Sequence, residues 1–153
     1  MEVKIYDLGT VNDEKLKFAV IVSMFNDKFV YVRHKQRETW EVPGGHRELN
    51  ENINDTASRE LKEETGAIKF NIKPVCDYLC DYSLERKNNN KSYGRLYYAE
   101  IYELGNLPDL EIGEVKLFHS IPENLTYPQI QPILINEVLI RMNVENLYNC
   151  EVE

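Results

Sequence analysis

The order of apolar segments in this chain predicts an α+β fold, with strands arranged as hairpins, an amphipathic helix between them and a further helix after them. Three observations carry that prediction. Two strand candidates flank the turn-prone pair Asn26-Asp27. Ile53, Ala57 and Leu61 form an apolar stripe that ends at Gly66. Two stretches rich in Tyr, Val, Ile and Leu bracket the polar run Arg86-Lys-Asn-Asn-Asn-Lys-Ser92.

Each element follows from local chemistry. Phe18-Ala-Val-Ile-Val-Ser-Met-Phe25 and Lys28-Phe-Val-Tyr-Val-Arg33 read as the strands of a tight hairpin, because Asn and Asp tolerate the left-handed backbone that such a turn requires. A helix is expected from Asn52 or Asn54 to Thr65, with Gly66 where a C-terminal cap belongs. Val75 to Ser83 and Arg95 to Leu104 form a second hairpin with a mobile tip in the polar run. Val115 to Phe118 adds a short strand, and Gln129 to Met142 has the apolar periodicity of a closing helix, Pro132 near its start being tolerated there. With no internal repeat and no linker, residues 1–153 are expected to form a single domain.

Composition narrows the class. Hydrophobic residues make up 42% and charged residues 29%, the balance of a folded globular chain. Charges in Met1-Glu-Val-Lys-Ile occupy the place of a signal-peptide core, and the apolar run Phe18 to Phe25 is too short to span a bilayer, so a cytoplasmic protein with no membrane partner is expected. Cys76, Cys80 and Cys150 form no C-x-x-C pair and read as reduced structural thiols. A net charge of −8 argues against a broad DNA-binding surface, and no stable nucleic-acid partner is expected. A small anionic substrate would need a local basic patch or bound metal cations.

Chemistry concentrates between Gly45 and Ala67. On a helix, Glu60, Glu63 and Glu64 share one face while Ile53, Ala57 and Leu61 occupy a neighbouring one. Charged helix faces are common, and an isolated cluster of this kind is usually a solvated surface. Like charges at this spacing near a helix C-terminus nevertheless oppose the helix, and a hard divalent cation with oxygen ligands would offset that repulsion.

The spacing resembles the Nudix hydrolase family, and MutT-like members in particular. The family box reads G-x5-E-x7-R-E-U-x-E-E-x-G-U, with U a bulky aliphatic residue. Gly45, Glu51, Arg59, Glu60, Leu61, Glu63, Glu64 and Gly66 stand at its fixed positions, and Ala67 is a small residue at the last U. Trp40-Glu-Val-Pro-Gly-Gly45 also resembles the usual approach to the box. This resemblance implies an α/β/α sandwich with a mixed β-sheet between helices. It also implies hydrolysis of a diphosphate linkage in a nucleoside diphosphate derivative, assisted by Mg2+ or Mn2+.

The same resemblance implies that Glu60 and Glu64 are metal ligands, Glu63 a further ligand or base, and the carbonyl of Gly44 or Gly45 a backbone ligand. Arg59 would orient the glutamates and Glu51 would brace the loop. A later acid often joins the site, here Glu111 or Glu114, with Glu111 preferred because it lies in the looser part of its loop. Arg33, His34, Lys35 and Arg37 are placed to steer phosphates, with Arg33 and Lys35 as the substrate-binding candidates. Tyr82 is a candidate for contact with the rest of the substrate, and Trp40 reads as a core anchor. Small size and the segment Phe118 to Leu125 look most like triphosphate pyrophosphohydrolases. ADP-ribose, a dinucleoside polyphosphate, a nucleotide sugar or a capped RNA end are the other substrates weighed, and a non-catalytic nucleotide-sensing module is the alternative of another class. Oligomeric state is not encoded in any of these features.

Overall fold

The computed structural model describes residues 1–85 and 90–143; Cys150 and residues 86–89 of the polar run lie outside the described residues. The elements are β1 (Glu2–Asp7), β2 (Leu16–Phe25), β3 (Lys28–His34), β4 (Gly44–His46), α1 (Ile53–Thr65), β5 (Ala67–Asp81), β6 (Lys91–Leu104), β7 (Ile112–Phe118) and α2 (Gln131–Arg141). The strands form one mixed sheet in the order β1-β5-β6-β2-β3-β7, with β4 paired to β2 off this path. Among the described strands, β2 and β6 run parallel and the other pairs are antiparallel.

Strand alternation explains why this sheet needs a helix on each face. Along β2, Ala19 and Ile21 join one core with Ile53, Ala57 and Leu61 of α1, while Val22 and Met24 join another with Leu134, Ile135, Val138 and Leu139 of α2. Neighbouring β6 divides in the same way, Tyr97, Ala99 and Ile101 toward α1 and Leu96 and Tyr98 toward α2. The fold is therefore α+β, a mixed sheet between two helices. Leu61 is fully buried, and truncating such a side chain to alanine typically costs about 2–5 kcal/mol.

The turns and caps follow the expected chemistry. Asn26 and Asp27 have φ of 52° and 62°, the paired left-handed conformation that matches strand twist in a tight hairpin. Asn52 Oδ1 accepts the Asn54 N–H at 2.8 Å and starts α1, and Gly66 ends it at φ 77°. Pro132 sits in the first turn of α2, where its missing N–H is not needed.

The sheet is larger than the sequence pattern indicated. β1 is an edge strand, and β4 is three residues without an apolar pattern that form because Phe18–Val20 offers them a partner. The second hairpin begins at Ala67 instead of Val75, since β5 passes through register shifts beside Ala67, Lys69 and Pro74 that break the alternation, and Pro74 is accommodated at such an irregularity. Asp77 of β5 is fully buried. Its Oδ1 accepts Arg95 Nε at 2.7 Å and its Oδ2 accepts the N–H groups of Gly9 and Val11 at 3.1 Å, which ties the loop after β1 to the sheet. Among the described residues, no helix is long and apolar enough to cross a membrane.

Candidate active site

The end of α1 nearest β4 carries the acids. Arg59 organises them through a set of bonds that uses most of its guanidinium. Its Nε and Nη2 hold Glu51 in a paired contact of 2.7 and 3.0 Å, Nη1 donates to Glu60 Oε1 at 3.0 Å and Glu63 Oε2 at 3.2 Å, and Nη2 also reaches the His46 carbonyl at 3.1 Å. Glu51 further accepts from Thr56 Oγ1 at 2.6 Å and from the Glu48 N–H at 3.1 Å. The hydrogen bonds from Arg59, followed by that from Thr56, hold the Glu51 carboxyl at about 2, far below its ordinary range. Glu51 is thus the fixed, ionised brace of the loop before α1.

Glu60 and Glu64 have the opposite character. Burial, with added repulsion from Glu63 and Glu111, pushes Glu60 up to about 7 against the lowering effect of Arg59. Burial, reinforced by the charges of Glu60, Glu41 and Glu111, pushes Glu64 up to about 8, although its Oε1 accepts the Gly44 N–H at 2.8 Å. The β4 backbone lies so close to this pair that a Cβ on Gly45 would collide with the Glu60 carboxylate.

The loop before β7 delivers the later acid. The Lys35 N–H donates to the Glu111 carbonyl at 3.0 Å, which pins that loop against the end of β3 where the β3–β7 register shifts. Glu111 lines the cleft; Glu114 instead faces Arg33, 3.4 Å from its Nε. Ligand atoms of His34, Glu64 and Glu111 lie within 4.8 Å of one another. His34 Nε2 is 2.6 Å from Glu41 Oε1 and 3.8 Å from Glu64 Oε2. Glu41 is buried, and its Oε2 makes no hydrogen bond among the described residues, with Arg37 Nη1 3.6 Å away. Several desolvated carboxylates with so few cations around them fit a hard divalent ion: oxygen donors are its preferred ligands, and its charge would favour their ionised forms.

These acids open onto a cleft of about 590 Å³, a volume suited to a nucleotide-sized ligand. Phe18, Val20, Tyr78, Cys80, Tyr82 and Leu134 supply much of the remaining wall. Of the residues singled out in the sequence, His34, Gly44, Gly45, Arg59, Glu60, Glu64, Tyr82 and Glu111 line the cleft. Glu63, Arg33 and Lys35 do not. Glu63 is held by Arg59 with its side chain 39% exposed, Arg33 also donates to the carbonyls of His34 and Arg37, and Lys35 pairs with Asp109. Trp40 packs edge-on against Phe118 at 5.2 Å, away from the cleft. Cys80 borders the cleft, and burial pushes its thiol up to about 11, as it does that of Cys76.

Several cleft residues escaped the sequence reading, Glu41 and Gln131 among them. Glu41 was legible only as an acid between Trp40 and Val42, and Gln131 as a polar residue entering an apolar helix. A second depression of about 710 Å³ adjoins the cleft, sharing Phe18, His46, Tyr82 and Ser92 with it and bordered by Lys15, Lys17, Arg47 and Lys91.

A family model described as the NUDIX domain matches residues 15–133, most of the chain. The chain therefore belongs to the Nudix family and is a hydrolase of that family, whose members generally work with divalent metal ions. YtkD of Bacillus subtilis (strain 168), by its name a candidate 8-oxo-dGTP diphosphatase, is 30% identical over 132 residues, covering 86% of this chain and 80% of that one. A Lactococcus lactis subsp. cremoris (strain MG1363) protein, named as a candidate DHNTP pyrophosphohydrolase, is 29% identical over 74% of this chain and 69% of its own. The crystal structure of the Bacillus subtilis pyrophosphohydrolase BsRppH superposes with a TM-score of 0.72 at 27% identity, covering 88% of each chain. The NUDIX domain of Shewanella oneidensis NrtR, solved with ADP ribose, shares the fold at a TM-score of 0.64 and 20% identity, over 90% of this chain and 94% of that one.

Proposed function

We propose that this protein is a magnesium-dependent (deoxy)nucleoside triphosphate pyrophosphohydrolase, releasing a nucleoside monophosphate and pyrophosphate. The observation that carries the reading is the convergence of Glu60, Glu64 and Glu111 at one part of a cleft whose other walls are largely aromatic and apolar. Such a site offers a place for a cation and phosphates beside a place for a base. The names of YtkD and of the Lactococcus protein both point to triphosphates, the first to a deoxynucleoside triphosphate, and support a triphosphate substrate.

In this reading Glu60, Glu64 and Glu111, with the Gly44 carbonyl, hold the cation. A divalent ion bound there neutralises phosphate charge and lowers the pKa of water that it binds. Arg59 positions Glu60 and Glu63, and Glu51 positions Arg59. Glu63 is the further ligand or base, with its Oε2 already oriented by Arg59. Free Cys76 and Cys80 accord with a reducing compartment, and a cytoplasmic single-domain enzyme is part of the proposal.

The test is hydrolysis of a nucleotide panel with magnesium in 18O-labelled water, with products separated and weighed. Pyrophosphate release from triphosphates is expected, with one labelled oxygen in either product. Release of orthophosphate alone, or preference for ADP-ribose over every triphosphate, would refute the assignment.

One observation favours a second reading. The depression bordered by Lys15, Lys17, Arg47 and Lys91 continues from the cleft on a protein of net charge −8. Local basic charge beside Phe18, Tyr82 and Tyr93 suits the phosphates and bases of a single strand attached to the nucleotide, so a 5′-triphosphorylated oligonucleotide is the alternative substrate.

A further inference from the structure

Beside the acids stands a nitrogen for which a magnesium site has no use. His34 ends β3 with its Nε2 2.6 Å from Glu41 Oε1, a separation at which one hydrogen must lie between two atoms that otherwise both accept. The same Nε2 is 3.8 Å from Glu64 Oε2, and ligand atoms of His34, Glu64 and Glu111 fall within 4.8 Å of one another. Glu64 faces two ways. Its Oε1 accepts the Gly44 N–H on the β4 side, while its Oε2 looks toward His34.

Glu41 supplies a second, independent observation. It lines the cleft, is only 7% exposed, and its Oε2 makes no hydrogen bond among the described residues. Arg37 Nη1 is 3.6 Å from that oxygen, on a half-exposed side chain that also bonds Tyr127. A buried carboxylate oxygen left open beside an imidazole nitrogen calls for a positively charged ligand.

The donors decide which cation. Magnesium demands octahedral oxygen coordination and keeps several of its waters, so one nitrogen and three carboxylates in a sheltered corner suit it poorly. Borderline transition cations accept imidazole readily, and zinc binds such mixed sets more tightly than manganese or iron. Four-coordinate zinc holds nitrogen and oxygen donors at about 2.0–2.2 Å, which sets neighbouring donors about 3.4 Å apart. The separations of 2.6 and 3.8 Å stand on either side of that value, within reach of small side-chain rotations.

We propose that His34 Nε2, Glu41, Glu64 and Glu111 form a zinc site, and that zinc bound there competes with the catalytic magnesium because both draw on Glu64 and Glu111. The cation takes the place of the hydrogen between His34 and Glu41, which leaves to solvent. His34 and Glu41 thereby extend the reading of Glu60, Glu64 and Glu111 as a cation site, on which the zinc site rests, and make the enzyme one that rising free zinc switches off.

The chain has three histidines, His34, His46 and His119, so their ring nitrogens can be followed one by one. Long-range 1H–15N spectra of untagged protein, assigned with His46→Gln and His119→Gln, should show the His34 ring shifting on addition of zinc and not of magnesium. Calorimetry should find zinc binding at least about a hundredfold tighter than magnesium, each ion weakening the other. His34→Gln should weaken zinc about ten- to a hundredfold and change magnesium affinity by less than about threefold. Should that variant fail to fold, Glu41→Gln and the ring spectra of the wild-type protein carry the test. Zinc bound without a shift of the His34 ring, or with undiminished affinity in folded His34→Gln, overturns the zinc site and leaves the magnesium reading standing. Absence of both magnesium binding and magnesium-dependent turnover overturns the reading of the acids beneath it.

Discussion

Removing divalent metal and raising the pH should melt this protein at progressively lower temperature, the reverse of the usual behaviour of proteins held together by ionised carboxylates. Glu60 and Glu64 are raised from 4.5 to about 7 and about 8, first by burial. In each case the folded state binds the proton more tightly than the unfolded chain does. Between about pH 4.5 and pH 8 the folded state therefore carries more protons, and its stability falls as the pH rises. Taken separately, the differences 7 − 4.5 and 8 − 4.5 correspond to about 3 and about 5 kcal/mol. The two acids repel each other and titrate as a pair, so about 8 kcal/mol is the ceiling for both together and about 5 kcal/mol, the larger contribution alone, is a working figure. For a chain of this size that amounts to a fall of about 10–20 °C in Tm. Glu51, held at about 2, acts in a separate window, its contribution being present above about 4.5 and lost as the pH falls through about 2. Thermal unfolding followed by circular dichroism, in chelator and in saturating magnesium, reads the effect. A cation that needs both acids ionised should raise Tm more at about pH 8 than at about pH 5, and Glu64→Gln should flatten the metal-free slope. A metal-free Tm that rises over this window, or a magnesium increment equal at both ends, would refute the account of these acids.

Other perturbations probe different parts. Gly45→Ala puts a methyl group into the Glu60 carboxylate, and a loss of at least about a hundredfold in kcat with weakened magnesium binding is expected; steady-state rates at wild-type level would show that Glu60 needs no such close approach. Asp77→Ala leaves buried Arg95 with the more distant, exposed Asp13 at 3.7 Å and strips the acceptor from Gly9 and Val11, so urea denaturation should show a loss of about 3 kcal/mol while folded enzyme keeps its kcat. Glu64→Gln should lower turnover about a thousandfold with an unchanged far-ultraviolet spectrum. Lys17→Glu combined with Lys91→Glu should lower kcat/KM on a 5′-triphosphorylated RNA oligomer by about tenfold at low salt and leave free triphosphates unaffected; equal effects on both substrates would remove the oligonucleotide reading.

Most of the framework was legible because local chemistry specified it. The Asn26-Asp27 turn, the Gly66 stop and the stripe Ile53, Ala57 and Leu61 each depend on neighbours in sequence, and each is found where the pattern put it, while the helix start, left open between Asn52 and Asn54, falls at Ile53 with Asn52 as its cap. β4 was not legible, since Gly44–His46 becomes a strand only by meeting Phe18–Val20. The spacing of Glu51, Arg59, Glu60, Glu63 and Glu64 marked an acidic site, but the division between Glu51 as a bonded brace and Glu60 and Glu64 as a desolvated pair depends on which acid Arg59 bonds and which the fold buries. Arg33 and Lys35 looked available as isolated cations, and in the fold Glu114 and Asp109 occupy them. Gln131 was invisible for the same reason in reverse, because its one bond is to Val42, far away in sequence.

The division of the sheet into two differently occupied faces bears on how such an enzyme can change. Along β2, side chains one apart support different tasks: Ala19 and Ile21 seat the helix that carries the acids, while Phe18 and Val20 border the space left for the rest of the ligand. Substitutions on the second set, or on Gln131 and Leu134 across from it, can drift toward a new ligand without disturbing the helix that holds Glu60 and Glu64. A lineage built this way can diversify its diet while inheriting its chemistry unchanged, and a protein engineer can do the same by randomising alternate positions of a single strand.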